Sequence, residues 1–75
     1  MKVSVTLAAY GNGEERIVTI PDNQLWPNVD NNLELVFEYG QNEVQPQNKC
    51  SVSVGDIIHW VDADYMVSAL GFTKC

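Results

Sequence analysis

The chain has 75 residues, with ten acidic and four basic side chains and a formal net charge of −6. A chain of this length forms a single domain, residues 1–75, and folding hides only about 60% of the surface that the unfolded chain exposes. The surplus of carboxylates would be repelled by phosphate backbones and by anionic lipid heads, which argues against direct binding to nucleic acid or to a membrane.

The N-terminal segment predicts an antiparallel hairpin. Lys2 to Tyr10 alternates between polar and apolar residues, and Glu15 to Ile20 forms a second strand that is closed by Pro21. The apolar face of the first strand consists of Val3, Val5, Leu7 and Ala9. Gly11 to Gly13 lies between the strands, and such residues tolerate the positive φ angles of hairpin turns.

The next segment, Pro21 to Asn32, is rich in residues that favour turns and caps. Leu25, Trp26 and Val29 interrupt it with apolar side chains that need to be covered. We therefore expect a loop that packs against the core, with one short helical turn that has Pro27 at its first position.

Leu33 to Tyr39 fits either a helix or a strand. As a helix it places Leu33, Val36 and Phe37 on one side, and as a strand it places alternate apolar residues on one face. Three signals favour the helix: candidate N-caps at Asp30, Asn31 and Asn32, the acidic Glu34 in the first turn, and Gly40 as a stop. The strand alternative predicts an all-β, five-stranded SH3-like barrel.

A polar connection, Gln41 to Lys49, leads to a second predicted hairpin. After a turn at Gly55 and Asp56, Ile57 to Val61 forms a strand of β-branched and aromatic residues. A polar turn follows, and Tyr65 to Leu70 forms the second strand. These patterns predict an α+β fold of ββαββ order, with two hairpins in one antiparallel sheet and one short helix on a face.

Two stretches of the second half carry a resemblance. They are Tyr39-Gly-Gln-Asn-Glu-Val-Gln-Pro46 and Ser51-Val-Ser-Val-Gly-Asp-Ile-Ile58, followed by Tyr65, Val67, Gly71 and Phe72. In this order they resemble a group of small uncharacterised proteins of phages, plasmids and other mobile elements. The resemblance implies that Leu33 to Tyr39 is a helix that ends in a polar motif, and it implies no reaction or ligand.

Candidate chemistry is sparse. His59 is the one histidine of the chain, and only Asp62 and Asp64 lie near it in sequence, so no catalytic set is complete. Asp56, Asp62 and Asp64 lack the spacing of a calcium-binding loop. Two cysteines without a close-spaced ligand pair do not predict zinc. We therefore expect no enzymatic activity, no catalytic residues, no metal and no cofactor.

The leading hypothesis is that the chain is an accessory protein of a mobile element and acts by binding another protein. One such role is inhibition of a host system. The candidate partner-binding residues are large aromatic or polar side chains: Trp26, Tyr39, Gln41, Asn42, Trp60, Asp62 and Asp64. An acidic inhibitor can mimic nucleic acid and occupy a basic groove. Such mimicry would require the carboxylates to share one face.

Two alternatives stay open from the sequence. A homodimer would form through an edge strand. A small-molecule or metal-binding module would use a pocket between helix and sheet, lined by Trp60, Tyr39 and Tyr65.

No uninterrupted apolar run is long enough for the core of a signal peptide or for a membrane span, so we expect a cytoplasmic protein. Cys50 and Cys75 are then expected to be reduced thiols. The sequence leaves open whether they pair.

Overall fold

The strands of the two halves join into one sheet, with a single α-helix on one side. The computed structural model describes all 75 residues. Its elements are β1 (Lys2–Leu7), β2 (Glu14–Thr19), α1 (Val29–Tyr39), β3 (Ile57–His59), β4 (Asp64–Ser68) and β5 (Gly71–Lys74). The strand order is β2-β1-β3-β4-β5, and every neighbouring pair is antiparallel. The predicted α+β fold with two hairpins and one helix is confirmed.

The fifth strand is an addition to the prediction. The strand expected to run to Leu70 ends at Ser68, and Ala69 and Leu70 form a turn that leads back into β5. Those two apolar residues carry no turn signal, so the sequence alone extends the strand through them. The chain reverses there because Gly71 has a φ of 144°, a conformation that other residues rarely adopt.

The two faces of the sheet differ in what covers them. The core lies between the sheet and α1 and contains eleven buried apolar residues: Val3, Val5, Leu7, Val18, Ile20, Leu33, Val36, Val52, Ile58, Tyr65 and Val67. The register of the strands places the alternate residues on the opposite side, which we call the open face. It carries Ser4, Thr6, Glu15, Ile17, Ile57, His59, Asp64, Met66 and Thr73, none of them buried.

The helix begins earlier than the sequence predicts. It starts at Val29, and its N-cap is Asn28, whose side chain accepts a hydrogen bond from the Asp30 N–H at 2.8 Å. The expected caps at residues 30–32 are therefore inside the helix. Asn32 is instead buried, and its amide bonds to both the N–H and the carbonyl of Trp26 at 2.8 Å each. This pair of bonds holds the preceding loop against the helix.

The loop before α1 also differs in detail from the prediction. A single 3₁₀ turn is present, but it spans Asp22–Gln24, directly after Pro21, and Pro27 lies outside it. Proline fixes its φ near the value a helical turn needs, so Pro21 and Pro27 are equivalent candidates from sequence alone. The Asp22 carboxylate accepts a bond from the N-terminal amine at 2.7 Å, which fixes the turn against the start of β1.

Gly40 ends the helix as predicted, but for a packing reason. Its φ is −77°, which any residue adopts. A Cβ at this position would overlap the side chain of Val52 and lie 2.9 Å from the carbonyl oxygen of Val36. The Val52 N–H donates to the Gly40 carbonyl at 3.0 Å, so the returning chain lies directly against the helix end.

A buried arginine holds the connection between α1 and β3 onto the sheet. Arg16 lies on the core side of β2 and is fully buried. Its guanidinium donates to the side-chain oxygen of Asn42 at 2.7 Å and to the carbonyls of Gln45 at 2.6 Å and Cys50 at 3.1 Å. Burial lowers the pKa of Arg16. The charge is thus solvated by carbonyl and amide oxygens of the connection in place of water.

The turn before β3 is closed by a buried carboxylate. Asp56 accepts hydrogen bonds from the N–H groups of Ala9 and Ser53, each at 2.8 Å. Its burial at 1% exposure makes these bonds costly to lose. Asp56 therefore joins its own turn to the turn that follows β1.

Candidate functional site

The two edges of the sheet are treated differently, and this difference defines the candidate site. On the β2 edge, the side-chain amide of Gln45 accepts from the Thr19 N–H and donates to the Thr19 carbonyl, both at 2.9 Å. Gln47 donates to the Ile17 carbonyl at 2.7 Å. Two glutamines thus occupy backbone groups that an added strand would need. Covered edges of this kind resist pairing with another chain.

The β5 edge has no such cover. The Cys75 N–H donates to the Asp64 carbonyl at 2.9 Å, so Cys75 faces β4. Because alternate residues of an antiparallel strand turn their backbone groups to opposite sides, Phe72 and Lys74 turn theirs away from β4. β5 is the last strand of the sheet, and these groups face outward. The β5 edge is therefore available to a strand of another chain.

An apolar cleft runs beside the free edge. It lies between α1 and the β4–β5 hairpin, with a volume of about 370 Å³. Its walls are mainly apolar: Phe37, Val54, Val67, Ala69, Gly71 and Phe72, together with Glu34 and Ser68. Val54 is 55% exposed, and Leu70 at the adjoining turn is fully exposed. The helix lies closest to β2 and leaves this end of the sheet partly uncovered.

Glu34 lines the cleft and belongs to a row of three carboxylates on α1. Asp30, Glu34 and Glu38 follow one another at four-residue spacing along α1, so they share one stripe of the helix, and all three are exposed. Asp22 contacts the N-terminal amine and Asp64 contacts the imidazole of His59, but Asp30, Glu34 and Glu38 contact no basic side chain. Other acids, such as Glu15 and Asp64, lie on the open face. The carboxylates therefore do not share a single face, which nucleic acid mimicry would need.

The candidate residues from the sequence are dispersed over the molecule. Trp26 is 56% exposed and lines a separate cleft of similar volume with Leu25 and Leu35, on another side of α1. The Tyr39 hydroxyl donates to the Gln24 side chain at 2.7 Å, beside that cleft. These two aromatic residues are neighbours, but they lie apart from the β5 edge.

Gln41 and Asn42 use their side chains within the chain. The Gln41 amide donates to the carbonyls of Phe37 at 2.8 Å and Val52 at 2.9 Å. Asn42 accepts from Arg16 and donates to the Lys49 carbonyl at 2.8 Å. The side chains of the polar motif after the helix thus hold the connection in place, and their hydrogen-bonding groups are used within the chain.

Trp60, Asp62 and Tyr65 lie near one another after β3. Trp60 is half-buried against the core, and the Tyr65 hydroxyl donates to the Asp62 carboxylate at 3.0 Å. Burial raises the pKa of the Tyr65 phenol, and the bond to Asp62 and the negative charges of Asp62 and Asp30 raise it further. This arrangement stabilises the neutral phenol, and it is not the pocket that the sequence predicts.

The pocket predicted from Trp60, Tyr39 and Tyr65 is not formed. The cleft between helix and sheet lies at the other end, over β4 and β5, and none of the three residues lines it. The hydroxyls of the two tyrosines instead bond to Gln24 and Asp62. No group of three histidine, cysteine, aspartate or glutamate side chains is placed to hold a metal ion. Cys50 and Cys75 are free, exposed thiols.

Comparisons with known proteins add no identification. The chain matches no protein-family model, and no curated protein or solved structure is significantly similar to it. The resemblance to proteins of mobile elements stays a prediction. The chain also has no helix with the length and apolar character that crossing a bilayer requires.

Proposed function

We propose that this protein is a binding module that captures an extended segment of a partner protein along β5. The observation that carries the proposal is the contrast between a β2 edge closed by Gln45 and Gln47 and a β5 edge left open beside an apolar cleft. Strand addition to an exposed edge obtains its affinity from backbone hydrogen bonds and its specificity from side-chain pockets.

The cleft defines which side chains such a segment carries. A strand paired with β5 points every second side chain toward the α1 side of the sheet. Those side chains would enter the space beside Phe37, Val67 and Phe72, which are apolar. The segment we propose therefore has aliphatic or aromatic residues at alternate positions.

Charge defines the rest of the segment. Glu34 lies in the cleft wall, and Asp30 and Glu38 flank it without a basic partner. The whole chain has a net charge of −6. The positions between the apolar residues point to the open face, away from α1, so lysine or arginine there complements the net charge of the whole chain. Such long-range attraction adds little affinity, but it accelerates association and rejects acidic partners.

The probe for this proposal is a short synthetic peptide in which valine alternates with lysine, measured by calorimetry. A peptide with glutamate in place of lysine serves as the comparison. We expect the lysine peptide to bind and the glutamate peptide to bind at least about tenfold more weakly. Equal affinities, or no binding by either peptide, would contradict the proposal.

Lys74→Pro tests the edge itself. It removes one outward N–H without touching a bond to β4, because proline is accepted on an edge strand where its nitrogen faces solvent. Loss of one backbone hydrogen bond lowers the affinity for the lysine peptide by about tenfold. The matched variant Lys74→Ala removes the same charge and keeps the N–H, so its affinity stays near that of the parent.

Glu34→Lys tests the charge of the cleft. We expect this variant to lower the affinity for the lysine peptide. Glu43→Lys makes the same change in net charge on the exposed connection and has a smaller effect. Trp26→Ala leaves the affinity unchanged because Trp26 lines a different cleft. If Trp26→Ala abolishes binding and Lys74→Pro does not, the partner uses the Trp26 side instead.

A second copy of the chain is the competing occupant of the β5 edge. Its carboxylate stripe would bring like charges together, which opposes self-association. Sedimentation of the parent without peptide is therefore expected to show a monomer. A dimer that Lys74→Pro dissociates would assign the edge to self-pairing.

The resemblance to small proteins of mobile elements suggests a biological role for this binding. An accessory protein in the cytoplasm that binds a basic, extended segment of a host or element protein would act by occupying that segment, for example as an inhibitor. This role would be supported if a partner protein copurifies with the chain and is displaced by a peptide that copies the partner's own basic segment. Copurification that Lys74→Pro leaves unchanged would count against it.

A further inference from the structure

Three side chains on adjacent strands form a hydrogen-bonded row on the open face. The hydroxyl of Thr6 on β1 lies 2.7 Å from Nε2 of His59 on β3. Nδ1 of the same imidazole lies 2.8 Å from the Oδ1 atom of Asp64 on β4. An ionised carboxylate only accepts hydrogen bonds, so Nδ1 carries a proton, and in the neutral imidazole Nε2 then accepts from the Thr6 hydroxyl.

The order of groups matches what a hydroxyl nucleophile needs. A weak nucleophile is activated by an adjacent base, and a third group fixes the orientation and tautomer of that base. The row is accessible, since the His59 and Asp64 side chains are 38% and 52% exposed and Thr6 is half-buried. It lies on the side of the sheet opposite the α1–β5 cleft, so it is independent of the proposed binding function.

We propose that Thr6 is a nucleophile toward activated carboxylic esters, with His59 as its general base and Asp64 as a positioning residue. Thr6 Oγ1 bonds to the ester carbonyl carbon while its proton passes to Nε2 of His59. The bond from that carbon to the leaving oxygen then breaks, and the leaving group takes the proton from His59. The products are an acyl ester of Thr6 and a free alcohol or phenol.

The setting of the row defines the substrate class. None of the clefts of the molecule includes Thr6, His59 or Asp64, so the ester meets the row on an open surface. On an open surface no further protein group is placed to stabilise the leaving group of a substrate. Aryl esters fit this limit because a phenol leaves readily, whereas alkyl esters and amides do not.

The test uses p-nitrophenyl acetate, with acylated residues located by peptide mass spectrometry. The Cys50→Ser, Cys75→Ser protein is the starting chain, because its two exposed thiols would otherwise compete. Thr73 provides an internal control: it is an exposed threonine of the same face, paired with Met66. We expect Thr6 to be acylated at least about tenfold faster than Thr73. Equal rates at the two threonines would overturn the proposal.

Variants separate chemistry from a purely structural cross-strand link. Thr6→Val abolishes acylation at this position, and Thr6→Ser retains it. His59→Ala removes the rate advantage of Thr6, and added imidazole restores part of it. Asp64→Asn lowers the rate and Asp64→Glu recovers part of the loss. If His59→Ala lowers the unfolding temperature but leaves the Thr6 acylation rate unchanged, the row is structural and the proposal is wrong.

Discussion

Arg16 provides the sharpest test of how the connection between α1 and β3 is held. In Arg16→Met the side chain keeps much of its length and apolar surface but loses its donors. Three short bonds disappear, to Asn42 at 2.7 Å, Gln45 at 2.6 Å and Cys50 at 3.1 Å. Bonds to a charged donor contribute about 1.5–3 kcal/mol each.

The net loss is smaller than the sum of these bonds. Methionine no longer requires desolvation of a guanidinium, which costs several kcal/mol per buried ion. We therefore expect Arg16→Met to lower the free energy of unfolding by about 2–4 kcal/mol. A domain of this length has about 4–11 kcal/mol in total, so the variant is folded but much weakened.

Urea unfolding followed by circular dichroism measures this loss, and amide hydrogen exchange locates it. We expect the midpoint to fall and the amides of residues 41–52 to exchange faster than those of the sheet. Lys49→Met removes a cation from the exposed connection and should change stability by less than about 0.5 kcal/mol. An Arg16→Met protein as stable as the parent would show that the bonds do not outweigh the desolvation of the charge.

Three further changes have defined outcomes. Gly40→Ala forces a Cβ into the side chain of Val52, and we expect urea unfolding to show a loss of about 1–3 kcal/mol. Asp62→Asn removes a charge that raises the pKa of Tyr65, so the phenol titrates at lower pH in a tyrosine absorbance or NMR titration; an unchanged titration would contradict the assignment. The raised pKa stabilises the fold below the ordinary tyrosine pKa, and this stabilisation is lost as the pH rises through the folded-state value. Gln45→Ala removes the acceptor of the Thr19 N–H, and amide hydrogen exchange at Thr19 should then be faster than in the parent; unchanged exchange would contradict the cover by Gln45.

Local patterns were enough to predict most of the fold. The alternation of β1 matches its buried face, and the turn residues Asn12 and Gly13 have the positive φ angles expected, 56° and 78°. Periodicity left Leu33 to Tyr39 open between helix and strand, and the cap, charge and glycine signals favoured the helix that forms and its end at Gly40. The strand β5 was not, because Ala69 and Leu70 continue an apolar run where the chain in fact turns.

The candidate sites depend on contacts that no local pattern reports. The partners of Arg16 lie 26 to 34 residues further along the chain, so its burial on a strand of otherwise mixed residues has no sequence signal. Thr6 and His59 are 53 residues apart and meet only because β1 pairs with β3. Gln45 and Gln47 lie in the polar connection, and no local pattern indicates that their side-chain amides bond to the backbone of β2.

Amide hydrogen exchange of the protein, measured with and without the lysine peptide, tests the free β5 edge most directly. Phe72 and Lys74 are the residues whose N–H groups an added strand would bond, whereas the Thr19 N–H is already bonded to Gln45. The expected result is slowed exchange at Phe72 and Lys74 with Thr19 unchanged. Slowed exchange at the β2 edge, with Phe72 and Lys74 unaffected by bound peptide, would contradict capture along β5.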